Sequence, residues 1–425
     1  MNSLNIALSI GAGTVLFLAM ISGYIKNRLS VSEPLICLAI GVLIGPAVLD
    51  LASLDLGDDT TLVVVEQAAR ITLAIAVMGA AMRLPHGFVI RHWREMALIL
   101  SVGMLGMWLM SSLLAYLCFA LPLLSALLLG AMITPTDPVL ADSIVTSRTA
   151  EASVPGRLRH LITAESGAND GLAILLVLLP VAFLEHASLG ATLEYWFLKV
   201  LLWEVVGAVL IGAAVGWLAG RCLVWAHRHP ESETASLTTV GLALSLTVLA
   251  CVKLMGSDGI LAVFAAGLGF NRFISHRETH QERVQESIGR FFDLPVFILF
   301  GVILPWGGWW QLGWPALVFV VAVLLLRRLP MWWLLRGRLA SVHAGRDALF
   351  TGWFGPIGIA ALFYASKIRY EHGMVELWEM ASLVIFASIV LHGISATPLT
   401  RRYRKPGEEM VEEEETGRVV TEAGE

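Results

Sequence analysis

Charged residues are scarce in this chain, at 15% of 425 residues, whereas a typical soluble domain carries about 25%. The deficit indicates that most of the chain does not face water, which excludes an ordinary soluble fold. Cysteines are also few. The four present lie inside apolar runs and form no CxxC motif, so a disulfide framework or a zinc site is not expected. We expect no resident cofactor and no nucleic-acid partner.

Apolar residues make up 57% of the chain and fall into long runs. A helix needs about 20 mostly apolar residues to cross a bilayer. We therefore predict an all-α polytopic membrane protein with the lipid bilayer as its solvent. The predicted thirteen spans cover residues 4–25, 34–51, 62–82, 96–119, 122–146, 158–184, 198–220, 236–255, 259–275, 288–306, 314–337, 346–366 and 374–399.

Lysine and arginine are distributed unevenly among the loops between these spans. The third loop contains Arg83, Arg91 and Arg94, whereas the second and fourth loops contain none, and PWGGWWQLG in the tenth loop contains none either. Because basic residues favour the cytosolic side, the alternation predicts an N-terminus outside and a C-terminus in the cytoplasm. The acidic segment 403–425 is expected to be a disordered cytosolic tail.

The fifth predicted span contains the segment Thr134, Pro135, Thr136, Asp137 and Pro138. Two prolines within four residues remove two backbone donors, so the helix is expected to break here. Broken backbone at membrane depth is tolerated where it is buried or lines a wet cavity. The alternative is a proline kink that serves packing only, but such a kink provides no partner for the Asp137 carboxylate.

The sixth span carries two carboxylates near mid-membrane, Glu165 and Asp170, together with Ser166 and Asn169. Glu165 and Asn169 are four residues apart and share a helix face. Ionisable groups at this depth are functional candidates because a charge in the bilayer costs several kcal/mol. The alternative for these residues is a buried ion-pair network with an arginine.

Arginines occur within the eleventh span, at Arg327 and Arg328. Arginine at this depth must face carboxylates, backbone carbonyls or water. Structural pairing and a direct transport role both remain open, and the two arginines could divide these tasks.

The twelfth span contains three glycines and a proline, Gly352, Gly355, Pro356 and Gly358. A regular helix is not expected here, so we predict a second break. Glycines that permit a tight helix crossing are the alternative.

The two predicted breaks lie seven spans apart, in spans five and twelve. An odd offset means that the two spans run in opposite directions, as in transporters built from inverted repeats. The ends of half-helices carry partial charges. Asp137 and the arginines Arg327 and Arg328 are expected to balance these charges.

Four segments carry a family resemblance. TPTDPVLADSIV and the following AESGANDG resemble the NhaP-type sodium/proton antiporters of the monovalent cation/proton antiporter group, and LLLRRLP through GWFGPIGIAALFYA resembles the branch also found in fungal plasma membranes. The resemblance runs from about Ser3 to Thr400. It implies thirteen spans, a homodimer and an elevator-like movement of a core domain against a dimer domain.

The resemblance also implies the site. Asp170 would carry the cation and the proton in turn, with Asn169 as its partner, and Na+ would lie at Asp170, Glu165 and Thr136. The implied cation- and proton-binding side chains are Asp170, Asn169, Glu165, Ser166, Thr136 and Asp137. Ile357 stands where the family usually has a basic residue, which shifts the charge-balancing role to Arg327 and Arg328.

A division of the chain follows from the same resemblance. Dimer-interface helices are expected in 1–90, core transport helices in 91–190, linker and interface helices in 191–306 and further core helices in 307–402. The implied function is not enzymatic: it is exchange of Na+ or Li+ for H+ across the cell membrane, electroneutral at one to one. A K+/H+ antiporter is the alternative, and a cation channel is a weaker one.

Overall fold

The computed structural model describes residues 9–20, 31–228, 237–274 and 279–403, and within these residues every regular element is a helix. The first half has two short helices, Phe88–Arg91 and Arg148–Ser153. Its longer helices are α1 (Ser9–Met20), α2 (Glu33–Ile44), α3 (Asp59–Arg83), α4 (Trp93–Phe119), α5 (Leu123–Met132), α6 (Pro138–Val145), α7 (Gly156–Glu185) and α8 (Leu189–Ala226). Those of the second half are α9 (Leu237–Leu254), α10 (Gly259–Asn271), α11 (Thr279–Val302), α12 (Trp306–Leu326), α13 (Leu329–Leu335), α14 (Gly345–Trp353), α15 (Ile359–His372) and α16 (Val375–Tyr403).

Six helical stretches in the described residues are long and apolar enough to cross a membrane by length and composition: Asp59–Arg83, Trp93–Phe119, Gly156–Glu185, Leu189–Ala226, Trp306–Arg338 and Val375–Tyr403. Each of the thirteen predicted spans overlaps at least one described helix. Of the predicted tail, only Tyr403 is described, as the last residue of α16. Residues 404–425 lie outside the described residues.

Two predicted boundaries are wrong. The second span was expected to reach residue 51, but α2 ends at Ile44 because Pro46 has no backbone N–H to continue a helix. The apolar run continues through the following turn, so composition alone concealed the end. The segment 305–313 was expected to be a loop, but α12 already begins at Trp306. The interruption lies instead at Gly313, with φ 65°.

Glycines bring α8 and α10 into close contact. A Cβ atom added at Gly212 would lie 2.1 Å from the carbonyl oxygen of Ala262, and one at Gly216 would lie 2.0 Å from that of Ala266. Small residues at such crossings let membrane helices pack with their backbones together. The α8–α10 contact is therefore backbone against backbone, with no room for a side chain.

The same helix α10 packs against α7 beside residues 165–170, the acidic segment of α7. A Cβ at Gly167 would lie 2.4 Å from the ring of Phe264, and a Cβ at Gly171 would lie 2.6 Å from Cβ of Leu261. These two glycines flank Asp170 on α7. The α10 side chains thus cover this face of α7, which shields the acidic segment from lipid and water.

We predict that Gly216→Val lowers the melting temperature of the purified protein, because the new side chain meets backbone that cannot move aside. Overpacking costs about 1–3 kcal/mol. The control is Gly190→Ala, where nothing lies within 4 Å of the new Cβ. Fluorescence-detected size exclusion after heating measures both variants. Equal melting of Gly216→Val and Gly190→Ala would contradict the tight α8–α10 crossing.

Candidate functional site

The first break separates α5 from α6. Helix α5 ends at Met132 and α6 begins at Pro138, and the segment between them includes Pro135. The Thr134 hydroxyl donates to the carbonyl oxygen of Gly130 at 2.7 Å, so one of the freed carbonyls is satisfied locally. The carboxylate of Asp137 accepts from the backbone N–H of Val139 at 2.7 Å and of Leu140 at 3.3 Å. Asp137 is therefore the N-cap of α6.

The second break separates α14 from α15 and touches the first. The chain leaves helical geometry after Trp353 and returns to it at Ile359. The Asp137 N–H donates to the carbonyl oxygen of Pro356 at 2.9 Å, and the Ile359 N–H donates to Asp137 Oδ2. A Cβ at Gly358 would lie 2.0 Å from that same oxygen. Glycine is thus required here for the close approach of the two segments.

Asp137 consequently serves two helix starts. Its carboxylate accepts from N–H groups at the beginning of α6 and at the beginning of α15. Helix N-termini carry partial positive charge and unsatisfied donors. One buried negative charge therefore balances both N-terminal half-helix ends. The sequence hypothesis had placed this carboxylate among the cation ligands, but here its oxygens are engaged by backbone donors.

Arg327 contacts the C-terminal ends of the two half-helices that precede the breaks. Its guanidinium donates to the carbonyl oxygens of Ile133 at 2.9 Å and Thr134 at 2.7 Å, and to that of Gly355. These carbonyls follow the C-termini of α5 and α14, which carry partial negative charge. Arg327 is 3% exposed. Arg327 thus balances both C-terminal ends, in the role that the sequence assigned jointly to two arginines.

Arg328 has a different partner. Its Nη2 donates to Glu165 Oε2 at 2.7 Å, its Nη1 donates to Glu165 Oε1, and its Nε donates to the carbonyl oxygen of Thr351 at 3.1 Å. The guanidinium also lies over the Trp332 ring, 4.8 Å from its centroid. The pair is bidentate and buried, so the charge of Glu165 is compensated. The structure therefore contains the arginine ion pair that was the alternative for Glu165, and a cation-ligand role for Glu165 stays a prediction.

A hydrogen-bond network centred on an amide joins α7 to the first break. Asn169 Nδ2 donates to the Thr136 hydroxyl at 2.8 Å and to Glu165 Oε1 at 3.2 Å, and Asn169 Oδ1 accepts from the Thr136 N–H at 3.1 Å. The Thr136 and Ser166 hydroxyls are 3.1 Å apart. The amide of Asn169 therefore locks the unwound segment onto α7.

Asp170 differs from Asp137 and Glu165, whose carboxylates are both engaged. It is 0% exposed, and neither carboxylate oxygen has a hydrogen-bond partner among the described residues. Its backbone carbonyl accepts from the Tyr364 hydroxyl on α15 at 2.7 Å. A bare buried carboxylate is costly, so the group requires a proton or a cation. Tyr364 was not found from the sequence, because nothing in its spacing distinguishes it from a core tyrosine.

The structure brings most of the predicted site residues together. The two breaks, Asn169, Glu165 and both arginines form one connected cluster, and Asp170 lies next to it in the chain. No group of three or more histidine, cysteine, aspartate or glutamate side chains suited to a metal ion occurs in the described part of the chain.

A buried carboxylate beside two broken, crossing helices is the arrangement of a secondary transporter. The family model described as sodium/hydrogen exchanger, transmembrane, matches residues 15–402. The chain therefore belongs to the sodium/hydrogen exchanger family and is a multi-pass membrane protein. The resemblance inferred from the sequence motifs is confirmed.

Named relatives agree with this assignment. Na+/H+ antiporter 2 from Zygosaccharomyces rouxii is 28% identical over 89% of this chain and 50% of its own length. The K+/H+ antiporter NhaP from Alkalimonas amylolytica is 25% identical over 94% of this chain and 67% of its own length. The chain spans about half the length of the first curated relatives that it matches.

The fold agrees with a solved antiporter. The structure of the sodium proton antiporter MjNhaP1 from Methanocaldococcus jannaschii superposes on this chain with a TM-score of 0.72 and 18% sequence identity. The superposition covers 94% of this chain and 98% of the MjNhaP1 chain. The all-helical architecture is therefore that of an NhaP-type protein.

We predict that Arg328→Met strongly destabilises the protein, because it leaves the Glu165 carboxylate buried without its partner. Removal of one member of a buried pair costs about 3–5 kcal/mol. The double variant Glu165→Met/Arg328→Met should recover much of the loss. Lys367→Met, which breaks the more exposed Lys367–Glu371 pair, is the control, with about 0–1 kcal/mol expected. Thermal unfolding in detergent measures all three, and a double variant as unstable as Arg328→Met would contradict this account.

Proposed function

We propose that the chain is a secondary active antiporter that exchanges Na+, or Li+, for H+ across a membrane, with Asp170 as the shared site. The observation that supports this most strongly is the Asp170 carboxylate, which is fully buried with both oxygens unpartnered. Such a group must hold a positive species, and a proton and a small cation are interchangeable there. The antiporter from Zygosaccharomyces rouxii and the solved antiporter MjNhaP1, which are both similar to this chain, are named for Na+ exchange.

The charges around Asp170 support an exchange of one cation for one proton. Glu165 is neutralised by Arg328, and Asp137 and Arg327 are engaged at helix ends of opposite sign. Asp170 is therefore the single carboxylate of this cluster without compensation. One H+ or one Na+ neutralises it, so a cycle that carries one of each in opposite directions moves no net charge.

The mechanism follows from competition for one carboxylate. On one side of the membrane Asp170 releases its proton to water and binds a dehydrated cation. On the other side the cation leaves and a proton returns. The bare carboxylate would be the costly species to move through the apolar interior, so movement is favoured only when the site is neutral. This condition couples the two fluxes.

The contacts between the two breaks also support the proposed architecture. Asp137 reaches two helix N-termini and Arg327 reaches two helix C-termini. Like ends meet in this way when two broken helices cross in opposite directions, as an inverted repeat requires. The proposal also includes thirteen membrane spans, with the N-terminus outside the cell and the C-terminus in the cytoplasm. The protein is proposed to form a homodimer in the cell membrane. The division into core and dimer helices with elevator-type movement belongs to the same proposal.

The alternatives differ in their support. A channel needs a continuous polar path, whereas Asp170 is sealed from solvent and α10 covers this face of α7. K+ in place of Na+ is the stronger alternative, because a relative that matches 94% of the chain is named a K+/H+ antiporter.

We predict that Asp170→Asn abolishes cation-driven proton movement, because the amide can neither take up a proton nor neutralise a cation. Everted vesicles with a pH-sensitive dye provide the measurement, with Na+, Li+ and K+ added in turn. The control is Asp59→Asn, which changes an exposed carboxylate in the first turn of α3. Retained exchange in folded Asp170→Asn protein would exclude the proposed site.

We predict that Asn169→Asp makes exchange electrogenic. The new carboxylate adds a second negative charge beside Asp170, so the site requires two protons for neutrality while one cation enters. Solid-supported membrane recordings under a Na+ gradient should show a transient current for Asn169→Asp that the wild-type protein lacks. A current of equal size in both proteins would contradict the charge count.

A further inference from the structure

The second break interrupts the regular helical hydrogen bonds on both of its sides. Helix α14 ends at Trp353 and α15 starts at Ile359, so the groups between them have no regular helical partners. The carbonyl of Gly355 is bound by Arg327, and that of Pro356 accepts from the Asp137 N–H. The N–H of Ile357 finds its partner on α16. The carbonyl oxygen of Trp353 accepts from the Gly355 N–H at 3.0 Å and is also contacted from α16.

Two polar side chains of α16 meet these groups. Ser388 and His392 lie one helical turn apart and are 0% and 7% exposed. The Ile357 N–H donates to Ser388 Oγ at 2.7 Å, and His392 Nε2 lies 3.0 Å from the Trp353 carbonyl oxygen. Ser388 Oγ and His392 Nδ1 are 3.1 Å apart. An unbroken chain of hydrogen bonds thus connects the two sides of the break.

The direction of this chain follows from donors and acceptors. Ser388 Oγ accepts from the Ile357 N–H, so its own hydrogen is free to point to His392 Nδ1. A ring with its hydrogen on Nε2 then donates to the Trp353 carbonyl, which can only accept. The other tautomer would donate from Nδ1 to the Ser388 carbonyl oxygen, 2.9 Å away. That tautomer would leave a ring lone pair facing the Trp353 carbonyl with no donor to fill it, whereas in the first tautomer the Ser388 hydroxyl donates to the Nδ1 lone pair.

We propose that Ser388 and His392 are positioning residues of the cation site, which act through the backbone of the second break. They fix the separation between Trp353 and Ile357, and this separation places the Gly355 carbonyl on Arg327 and the Ile359 N–H on Asp137. The side chain of Ile357 has no polar atom, so α16 supplies the polar groups that this segment needs. The proposal rests on cation/proton exchange as the function of the same site.

The transport test compares His392→Ala with His392→Gln in everted vesicles. His392→Ala should raise the Na+ concentration for half-maximal exchange by about fivefold or more, with a smaller change in the maximal rate per folded protein, because the site geometry shifts. Glutamine can place an amide donor near the Trp353 carbonyl and should restore most of the affinity. His186→Ala is the control, since the His186 ring bonds the Ala182 carbonyl oxygen at the far end of α7.

Hydrogen–deuterium exchange of the segment 353–359 provides a readout that does not depend on transport. Ser388→Ala and His392→Ala should each speed amide exchange in this segment, whereas Ser388→Thr, which keeps the hydroxyl, should stay close to the unchanged protein. Unchanged protection in both alanine variants would overturn the proposal. An unchanged Na+ concentration for half-maximal exchange, with only the amount of folded protein lowered, would also overturn it. If the wild-type protein shows no cation/proton exchange at all, the proposed function is refuted instead. The amide exchange measurement would then still decide whether Ser388 and His392 position the second break.

Discussion

Two broken helices are held together inside an apolar protein by one buried carboxylate and one buried guanidinium. Asp137 accepts from the starts of α6 and α15, and Arg327 donates to the ends of α5 and α14. Without these contacts the breaks would leave unsatisfied backbone groups in a low-dielectric interior, each at a cost of several kcal/mol. The geometry of the whole site depends on this pair of contacts, because Thr136 reaches Asn169 only from the unwound segment.

Among the remaining charged side chains of the site, one carboxylate has no compensating charge. Arg328 neutralises Glu165, and the Glu165 carboxylate also receives the Asn169 amide. Asp170, the next residue along α7, has no partner for either carboxylate oxygen among the described residues. In a membrane protein an unpartnered carboxylate at full burial is a functional group by default. The neighbouring amide at position 169 is neutral, which is consistent with the proposal that a single positive species balances the site.

Local chemistry made much of this site predictable. Pro135 and Pro138 in one span, and the glycines around Pro356 in another, predicted both breaks, since few other residues interrupt a membrane helix so directly. The depth of Glu165 and Asp170 within a long apolar run identified the acidic residues as candidates. The odd spacing of the broken spans predicted a crossing in opposite directions, and the contacts of Asp137 and Arg327 at like helix ends fit that topology.

What the sequence could not provide was the choice among partners. Arg327 and Arg328 are adjacent and identical in chemistry, so only their different directions from the end of α12 assign one to carbonyls and the other to Glu165. Asp137 and Glu165 were therefore expected to face the cation, although their oxygens are already engaged. Helix ends at Ile44 and Trp306 were missed because apolar composition continues across turns. The hydrogen bond of Tyr364 depends on packing between α7 and α15, which no local pattern encodes.

We propose that Asp170 exchanges one proton for one cation, and the protons released on cation binding measure this exchange. Calorimetric titration of the purified protein with Na+, in buffers of different ionisation enthalpy, counts the protons released for each cation bound. The account predicts a maximum of one proton per Na+ when Asp170 begins protonated, and no release from Asp170→Asn. Cation binding without proton release at every pH, or equal release from Asp170→Asn, would contradict it.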